Sequence, residues 1–256
     1  MKGIAMRVLV ACEYSGTVRD AFIKLGHDAM SCDLLPTDVP GPHYQGDVRD
    51  VLDGWMPVSW TAHCDPDGDG WRHIHNIDPV ECNCIGPTQD GIEYLERDGV
   101  LFGRPALAPY WDLMIAHPPC TYLSVSGMHW TARGLRDPRL TEDALEFVRM
   151  LMAAPIDRIA VENPVSVISS RIRKPEQIVQ PWQFGHDASK ATCLWLKNLP
   201  TLRPTQIVEP RIINGRKRWG NQTDSGQNKL GPSADRWKIR SETFPGIAEA
   251  MADQWS

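Results

Sequence analysis

Residues 113–127 read LMIAHPPCTYLSVSG, and this stretch decides the predicted fold. A run of four apolar residues ends at a His-Pro-Pro sequence, and Cys120 follows immediately. The pattern is typical of a short buried strand that delivers a cysteine to its carboxyl end, where open α/β sheets bind their ligands. Two prolines stiffen the backbone next to the thiol. A buried structural cysteine is the competing interpretation, because free cysteine is among the most buried residue types.

The amino-terminal segment shows a second pattern of the same fold class. Its predicted elements are a buried strand at residues 7–11, a helix at residues 17–25 and a second strand at residues 28–33. Gly16 lies in the first turn, where a glycine can adopt backbone conformations that other residues avoid. Asp33 closes the second strand, and an acid there accepts hydrogen bonds from ribose hydroxyls in nucleotide-binding units. Asp47 is either an acceptor for the amino group of an adenine or a helix N-cap.

Another predicted strand ends in an acid. Residues 158–162 (RIAVE) form an apolar run that closes on Glu162, and Asn163 follows. Because parallel strands end at one edge of a sheet, we expect the Cys120 thiol and the Glu162 carboxyl group to meet there. Further predicted elements are a strand at residues 191–197 and a closing amphipathic helix at residues 245–254.

Composition and charge narrow the class of protein. The chain has 256 residues, enough for one domain, and no apolar run approaches the roughly 20 residues that cross a bilayer. An odd number of cysteines, seven, without regular spacing predicts a reducing compartment, and hence a cytoplasmic protein. The net charge is −5, yet residues 165–240 carry 14 basic and 5 acidic residues. An acidic body with a basic flank is typical of proteins that bind a polyanion, although a solvated basic face would look the same.

Residues 54–109 interrupt the α/β pattern with a predicted loop-rich insert. This insert contains three histidines and three cysteines within 22 residues. The predicted ligands of a structural zinc ion are Cys64, His75 (with His73 as the alternative histidine), Cys82 and Cys84. A metal would offset the ordering entropy of a segment with little core, whereas a surface insert with free thiols is the competing interpretation.

Together these motifs resemble those of the DNA cytosine-5 methyltransferases. The similarity is strongest at residues 119–127 (PCTYLSVSG), which have the Pro-Cys loop pattern of that family, and it continues at Glu162-Asn163. Residues 12–22 (CEYSGTVRDAF) align with the glycine-rich cofactor motif of the family and keep one of its glycines, Gly16. The small size and the short variable region are similar to those of phage-borne members.

The resemblance implies a Rossmann-like, S-adenosylmethionine-dependent methyltransferase: an α/β sheet with helices on both faces that methylates C5 of cytosine in double-stranded DNA. The cofactor-binding residues that it implies are Glu13, Tyr14, Ser15, Gly16, Thr17, Val18, Asp33, Leu34, Asp47, Val48 and Pro118. The catalytic residues that it implies are Cys120, Glu162, Asn163, Pro119 and Lys190. The residues expected to contact nucleic acid are Ser124, Ser126, Arg171, Arg173, Arg216, Lys217 and Arg218.

One strand departs from the family pattern. Ala188, Lys190 and Thr192 lie where the family has the Gln and the two Arg of a Gln-x-Arg-x-Arg strand. Arg171 or Arg173 is therefore the candidate to replace the missing arginine contact to the flipped base.

The chemistry of the family explains these residue types. A thiolate, here that of Cys120, adds to C6 of the cytosine, and C5 then attacks the sulfonium methyl group. Nearby positive charge is expected to favour the thiolate. Glu162 is expected to be protonated, with a raised pKa, and to bond to N3 and the exocyclic amine. The target base must leave the stack, which costs a few kcal/mol.

We expect three parts in a monomeric, host-cytoplasmic protein. They are a catalytic domain at residues 1–203 with 239–256, the insert at residues 54–109 and a basic target-recognition region at residues 204–238. Three other functions fit parts of the sequence. They are RNA cytosine-5 methyl transfer, nucleic-acid binding by a catalytically silent relative, and amino-methyl transfer, to which the His-Pro-Pro-Cys-Thr-Tyr sequence is loosely similar.

Overall fold

The computed structural model describes residues 5–57, 92–97, 100–105, 110–233 and 236–256. Within these ranges the core of the protein is a seven-stranded, mostly parallel sheet of order β3-β2-β1-β7-β8-β10-β9. Its strands are β1 (Arg7–Ala11), β2 (Asp28–Asp33), β3 (His43–Gln45), β7 (Leu113–Ala116), β8 (Arg158–Pro164), β9 (Gln177–Val179) and β10 (Thr192–Lys197). Strand β10 runs antiparallel to both of its neighbours. The predicted α/β class is confirmed.

Helices cover both faces of this sheet. The α-helices of the described residues are α1 (Thr17–Lys24), α2 (Val48–Val51), α3 (Val125–Ala132), α4 (Arg139–Met152), α5 (Ile168–Arg171), α6 (Arg236–Ser241) and α7 (Pro245–Trp255). Helices α2, α4 and α5 pack on one face, and α1 and α7 pack on the other. Across the described ranges, none of them combines the length and the apolar character needed to span a bilayer.

Alternation along the central strands creates two apolar layers. In β1, Leu9 packs into a cluster with α4, whose Leu145 and Val148 are fully buried. Val8 points to the opposite face and belongs to a cluster with α1 and α7, which includes the fully buried Met251. Successive side chains of a strand face opposite sides, so continuous apolar strands require cover on both faces. The result is a helix–sheet–helix sandwich whose loops meet at the carboxyl edge of the parallel strands.

Two smaller sheets lie outside this core. The first consists of β4 (Met56–Pro57), β5 (Ile92–Arg97) and β6 (Val100–Pro105), paired antiparallel in the order β4-β6-β5. The predicted loop-rich insert therefore contains regular strands, and the Asp-Gly dipeptide between β5 and β6 is a hairpin signal in its sequence. The second sheet is the hairpin of β11 (Arg211–Ile213) and β12 (Arg216–Arg218).

The predicted zinc ligands lie in the part of the insert outside the described residues. Those residues are Cys64, His73, His75, Cys82 and Cys84. The zinc site stays a prediction from the sequence.

Candidate active site

Two adjacent parallel strands, β7 and β8, bring the predicted cysteine and acid to one edge. Ala116, the last residue of β7, pairs with Val161, so the next residues, His117 and Glu162, lie side by side two residues before β8 ends. Cys120 follows three residues after His117. The prediction that both strands end at one edge is confirmed. This edge lies beside β1, where the strand order reverses and open α/β sheets form their ligand crevice.

Glu162 is held by a hydrogen bond to a histidine. His117 Nδ1 lies 3.0 Å from Glu162 Oε2, and the two side chains are 10% and 11% exposed. Burial acts to raise the pKa of Glu162, but the His117 hydrogen bond and charge, the Lys190 charge and the Thr192 hydroxyl outweigh it, so this pKa is lowered. The expectation of a protonated Glu162 with a raised pKa is wrong for the free protein, because the sequence did not reveal the His117 partner.

Cys120 carries a neutral thiol in this arrangement. Burial and the negative charge of Glu162 raise the pKa of Cys120, against smaller lowering effects from its own backbone N–H, Lys190 and Arg240. The expected positive charges are therefore present, but they are outweighed. A thiol of this kind needs a base that accepts its proton before it can attack an electrophile.

The loop after Cys120 is tied to the chain that follows β8. The Cys120 carbonyl accepts hydrogen bonds from the amides of Leu123 and Ser124. Ser124 caps α3 by accepting from the Gly127 amide at 3.2 Å, and the Leu123 carbonyl accepts from the Val167 amide at 3.0 Å. The side chain of Ser126 lies outside the described residues. These contacts make the two strand ends one structural unit.

Asn163 positions the proline segment of the same unit. Its side chain is 1% exposed, and its Nδ2 donates to the Pro118 carbonyl at 2.8 Å. Pro118 is buried, whereas Pro119 is exposed next to the thiol. Among the described residues, Asn163 Oδ1, Ser166 Oγ and His117 Nε2 are buried atoms without a hydrogen-bond partner. Buried polar atoms of this kind are costly unless a ligand or water completes them.

Lys190 approaches this edge from the amino end of β10. Because β10 is antiparallel to β8, the start of β10 lies at the edge where the parallel strands end. Lys190 Nζ donates to the Glu242 carbonyl at 2.9 Å, and its charge lowers the pKa of both Glu162 and Cys120. Arg240, at the end of α6, also acts on Cys120. Sequence reasoning missed Arg240, which only long-range packing brings to the site, and His117, whose position directly after β7 and three residues before Cys120 was an available local signal.

The predicted cofactor loop between β1 and α1 is built around Glu13. Its Oε1 accepts from the Val18 amide at 2.7 Å and its Oε2 from the Arg19 amide at 3.2 Å, while the Ser15 hydroxyl donates to Oε1 at 3.2 Å and contacts Thr17. The Glu13 carboxylate therefore binds the amides of the first turn of α1, although Glu13 itself precedes the helix. Gly16 has φ of +73°, and a Cβ there would lie 2.5 Å from the Arg19 guanidinium.

The other predicted cofactor residues surround the ends of β1 and β2. Asp33 is half-buried and accepts from the Leu35 amide at 2.9 Å, and burial raises the pKa of its carboxyl group. Leu34 is 72% exposed beside it. The Tyr14 hydroxyl contacts Ser241 Oγ at 2.8 Å, which joins this loop to α6. Burial and the charges of Asp33 and Asp47 raise the pKa of Cys12, which follows β1, to about 12.

Asp47 serves as a helix cap, one of its two predicted roles. Its Oδ1 accepts from the Arg49 amide at 3.0 Å, and its Oδ2 pairs with the Arg49 guanidinium at 2.7 Å. Val48, the first residue of α2, is 4% exposed and packs in the core. The Asp47 carboxylate and the Val48 side chain therefore already have partners within the protein.

The arginines proposed to replace the missing family contact have other partners. Arg171 forms an ion pair with Glu142. Arg173 pairs with Glu176 and also donates to the Leu196 carbonyl at 3.1 Å, at the end of β10 farthest from Glu162. The expectation that Arg171 or Arg173 contacts the base stays a prediction, and in the free protein both guanidinium groups are held by these partners.

The basic hairpin β11–β12 is anchored at its base. Trp219, which follows β12, stacks on Trp182 with ring centroids 5.4 Å apart. Asn221 exchanges two hydrogen bonds with the Ser189 backbone at 2.9 and 3.0 Å, immediately before Lys190. These contacts attach residues 219–221 to the chain that enters β10. The hairpin is thereby carried next to the edge that holds Cys120.

Basic side chains of the hairpin divide into two groups. Arg218 donates to the carbonyls of Lys217, Asp224 and Ser225, so it stabilises the adjoining loop. Its expected contact to a phosphate stays a prediction. Arg216 and Lys217, next to the turn at Asn214-Gly215, are exposed.

Comparisons with known proteins add no family assignment. No protein-family model matches the sequence, and no curated protein is significantly similar to it.

Proposed function

We propose that this protein transfers a methyl group from S-adenosylmethionine to C5 of cytosine in double-stranded DNA. The observation that carries the proposal is the convergence of Cys120 and Glu162 at the carboxyl edge of two adjacent parallel strands. A nucleophilic sulfur and a carboxyl group on opposite sides of one pyrimidine are what cytosine C5 chemistry requires.

Cytosine C5 is too weak a nucleophile to accept a methyl group directly. In the proposed reaction the Cys120 sulfur adds to C6, and the electrons of the C5–C6 double bond move into the ring, so that C5 becomes an enamine carbon. Glu162 contacts ring N3 and the exocyclic amine, where charge develops. After methyl transfer, a base removes the C5 proton, and the sulfur leaves C6.

The residues at the ends of β1 and β2 fit the methyl donor. S-Adenosylmethionine supplies an electrophilic methyl group on a sulfonium centre. The Asp33 carboxyl group lies at the position where an acid binds ribose hydroxyls, and the exposed Leu34 beside it offers an apolar surface for an adenine ring. The buried carboxylate of Glu13 shapes the turn below, through the first amides of α1. The reversal of strand order between β1 and β7, where open α/β sheets bind their ligands, supports this assignment.

The hairpin β11–β12 supports a duplex partner. A two-stranded ribbon fits the major groove of B-DNA, and the exposed Arg216 and Lys217 at its tip are suited to phosphate contacts. The Trp219 and Asn221 anchors connect that ribbon to the chain preceding Lys190. A duplex bound there would present a flipped base to Cys120.

Trapping the covalent intermediate tests the proposal. A duplex with 5-fluorocytosine at its cytosines cannot lose a C5 proton, so the enzyme should remain attached to it in the presence of S-adenosylmethionine. We expect a denaturation-resistant adduct with the native protein and with Cys193→Ser, a second buried thiol near Glu162, and none with Cys120→Ser. Fluorocytosine-containing tRNA in parallel separates RNA from DNA substrates. An adduct that persists in Cys120→Ser, or no methyl transfer to any nucleic acid, refutes the proposal.

A further inference from the structure

A short segment near the carboxyl terminus, residues 238–246, is fastened at its amino end to the predicted donor loops. The Tyr14 hydroxyl donates to the Lys238 carbonyl at 3.1 Å and lies 2.8 Å from Ser241 Oγ. Lys238 Nζ donates to Asp38 Oδ1 at 2.6 Å and lies 5.3 Å from the centroid of the Tyr14 ring. Because Tyr14 follows β1 and Asp38 follows β2, this segment binds the loops after both strands.

The carboxyl end of the segment is fastened to the chain that enters β10. Lys190 Nζ donates to the Glu242 carbonyl at 2.9 Å. The Gly246 amide donates to His186 Nε2 at 2.9 Å, and the His186 and Phe244 rings pack with centroids 5.2 Å apart. In the sheet, β10 begins at the edge where β1 and β2 end, and β7 and β8 lie between them. The segment therefore forms a strap from the predicted donor loops to the side of the edge that carries Lys190.

Polar contacts, rather than apolar burial, hold the amino end of the strap. Of the α6 side chains that the structure describes, none belongs to either apolar layer, and Ile239 is 51% exposed. The Lys238 and Asp38 side chains are each 36% exposed. Ion pairs this open to solvent are weak and are screened by salt. These contacts can therefore open and close while the central sheet stays folded.

The Lys238–Asp38 pair fastens the strap to the loop that is proposed to bind the methyl donor. Asp33 ends β2, and Leu34 and Asp38 belong to the loop that follows it. On the basis of the proposed function, we propose that the strap closes over a bound S-adenosyl ligand and that the Lys238–Asp38 ion pair is its latch. Release of the product, S-adenosylhomocysteine, then requires this latch to open.

Exchange of the two charges tests the latch. Labelled S-adenosylhomocysteine is bound to the protein, excess unlabelled ligand is added, and the rate of release is measured. Lys238→Asp and Asp38→Lys each place like charges side by side, so we expect release to be about 5- to 10-fold faster than in the native protein. The double variant restores an ion pair, and its release rate should lie within about twofold of the native rate.

A second lysine–carboxylate pair provides the matched control. Lys24→Met breaks the pair with Glu249 at the far end of α1 from the donor loop, and it should leave the release rate unchanged. Unchanged release in both single variants, or a double variant that releases the ligand as fast as they do, overturns the proposal.

Salt dependence gives a second readout in the native protein. Because salt screens an exposed ion pair, native release should become about two- to fivefold faster as salt is raised, whereas Lys238→Met should release the ligand at the same rate at low and high salt. Native release that does not change with salt overturns the proposal, even where a variant does not fold. Methyl transfer with unchanged release in the variants refutes the latch alone. The expected release rates without methyl transfer to any nucleic acid refute the proposed function alone, and failure to bind S-adenosylhomocysteine contradicts both.

Discussion

Gly127→Ala isolates the role of the loop that carries Cys120. In the first turn of a helix this substitution normally stabilises a protein, by up to about 1 kcal/mol. Here the new Cβ would lie 2.1 Å from the Thr121 carbonyl oxygen and 3.1 Å from its carbon, whereas ordinary contacts begin at 3.4 Å. The helix and the loop must therefore separate by roughly 1 Å or more, a displacement of the size that costs catalysts about 100-fold.

We expect the loop that contains Thr121 and Cys120 to be the part that moves. Thr121 follows Cys120 directly, while α3 is held at its start by the Ser124 cap and the loop by the Leu123–Val167 hydrogen bond. We expect Gly127→Ala to lower methyl transfer about 100-fold, without the gain in melting temperature that helix propensity alone predicts.

Two assays decide this prediction. Transfer of tritium from labelled S-adenosylmethionine to duplex DNA measures activity, and mass spectrometry of alkylated peptides reports the exposure of the Cys120 thiol even without activity. Gly231→Ala is the matched control, because an added Cβ there meets no atom within 4 Å. Full activity, an unchanged alkylation rate and a raised melting temperature in Gly127→Ala would refute the steric argument.

Three further predictions follow from the site and its supports. The rate of Cys120 alkylation should rise with pH with a midpoint above 9.0, because burial and the Glu162 charge raise the pKa of the thiol. Glu162→Gln removes this charge and should lower the midpoint. A higher midpoint in the variant contradicts the prediction. Arg19→Met removes a fully buried guanidinium that donates to three carbonyls and two hydroxyls of residues 31–42. We expect the free energy of unfolding to fall by about 2–4 kcal/mol, and calorimetry should show a melting temperature lower by roughly 5–15 °C. Arg216→Ala and Lys217→Ala should each reduce the slope of log affinity against log salt by about 1 in duplex-binding titrations, and an unchanged slope would place the duplex elsewhere.

Local signals were sufficient to predict most of the central sheet. Strands β1, β2, β7 and β8 are apolar runs bounded by Gly, Pro or acids, and each occurs within one residue or two of its expected range. The shared edge of Cys120 and Glu162 follows from the parallel arrangement alone. The sequence thus predicted which residues each strand delivers to this edge of the sheet.

Long-range partners could not be predicted in this way. His117 and Glu162 are 45 residues apart, and Tyr14 and Ser241 are 227 apart, so neither contact has a local signature. The ion pair between Arg173 and Glu176 is local, but a paired arginine and a free arginine have the same sequence pattern. The direction of the Glu162 pKa shift in the free protein was predicted wrongly for this reason. Burial, which raises this pKa, was foreseeable from the sequence, whereas the His117 donor that lowers it was not.

The contacts at the base of the β11–β12 ribbon determine where its sequence can vary. The Trp182–Trp219 stack and the Ser189–Asn221 pair leave the tip of the ribbon out of these fastening contacts. Substitutions at the tip can therefore accumulate without disturbing the sheet edge, so related proteins can differ at the ribbon tip and keep the same arrangement around Cys120.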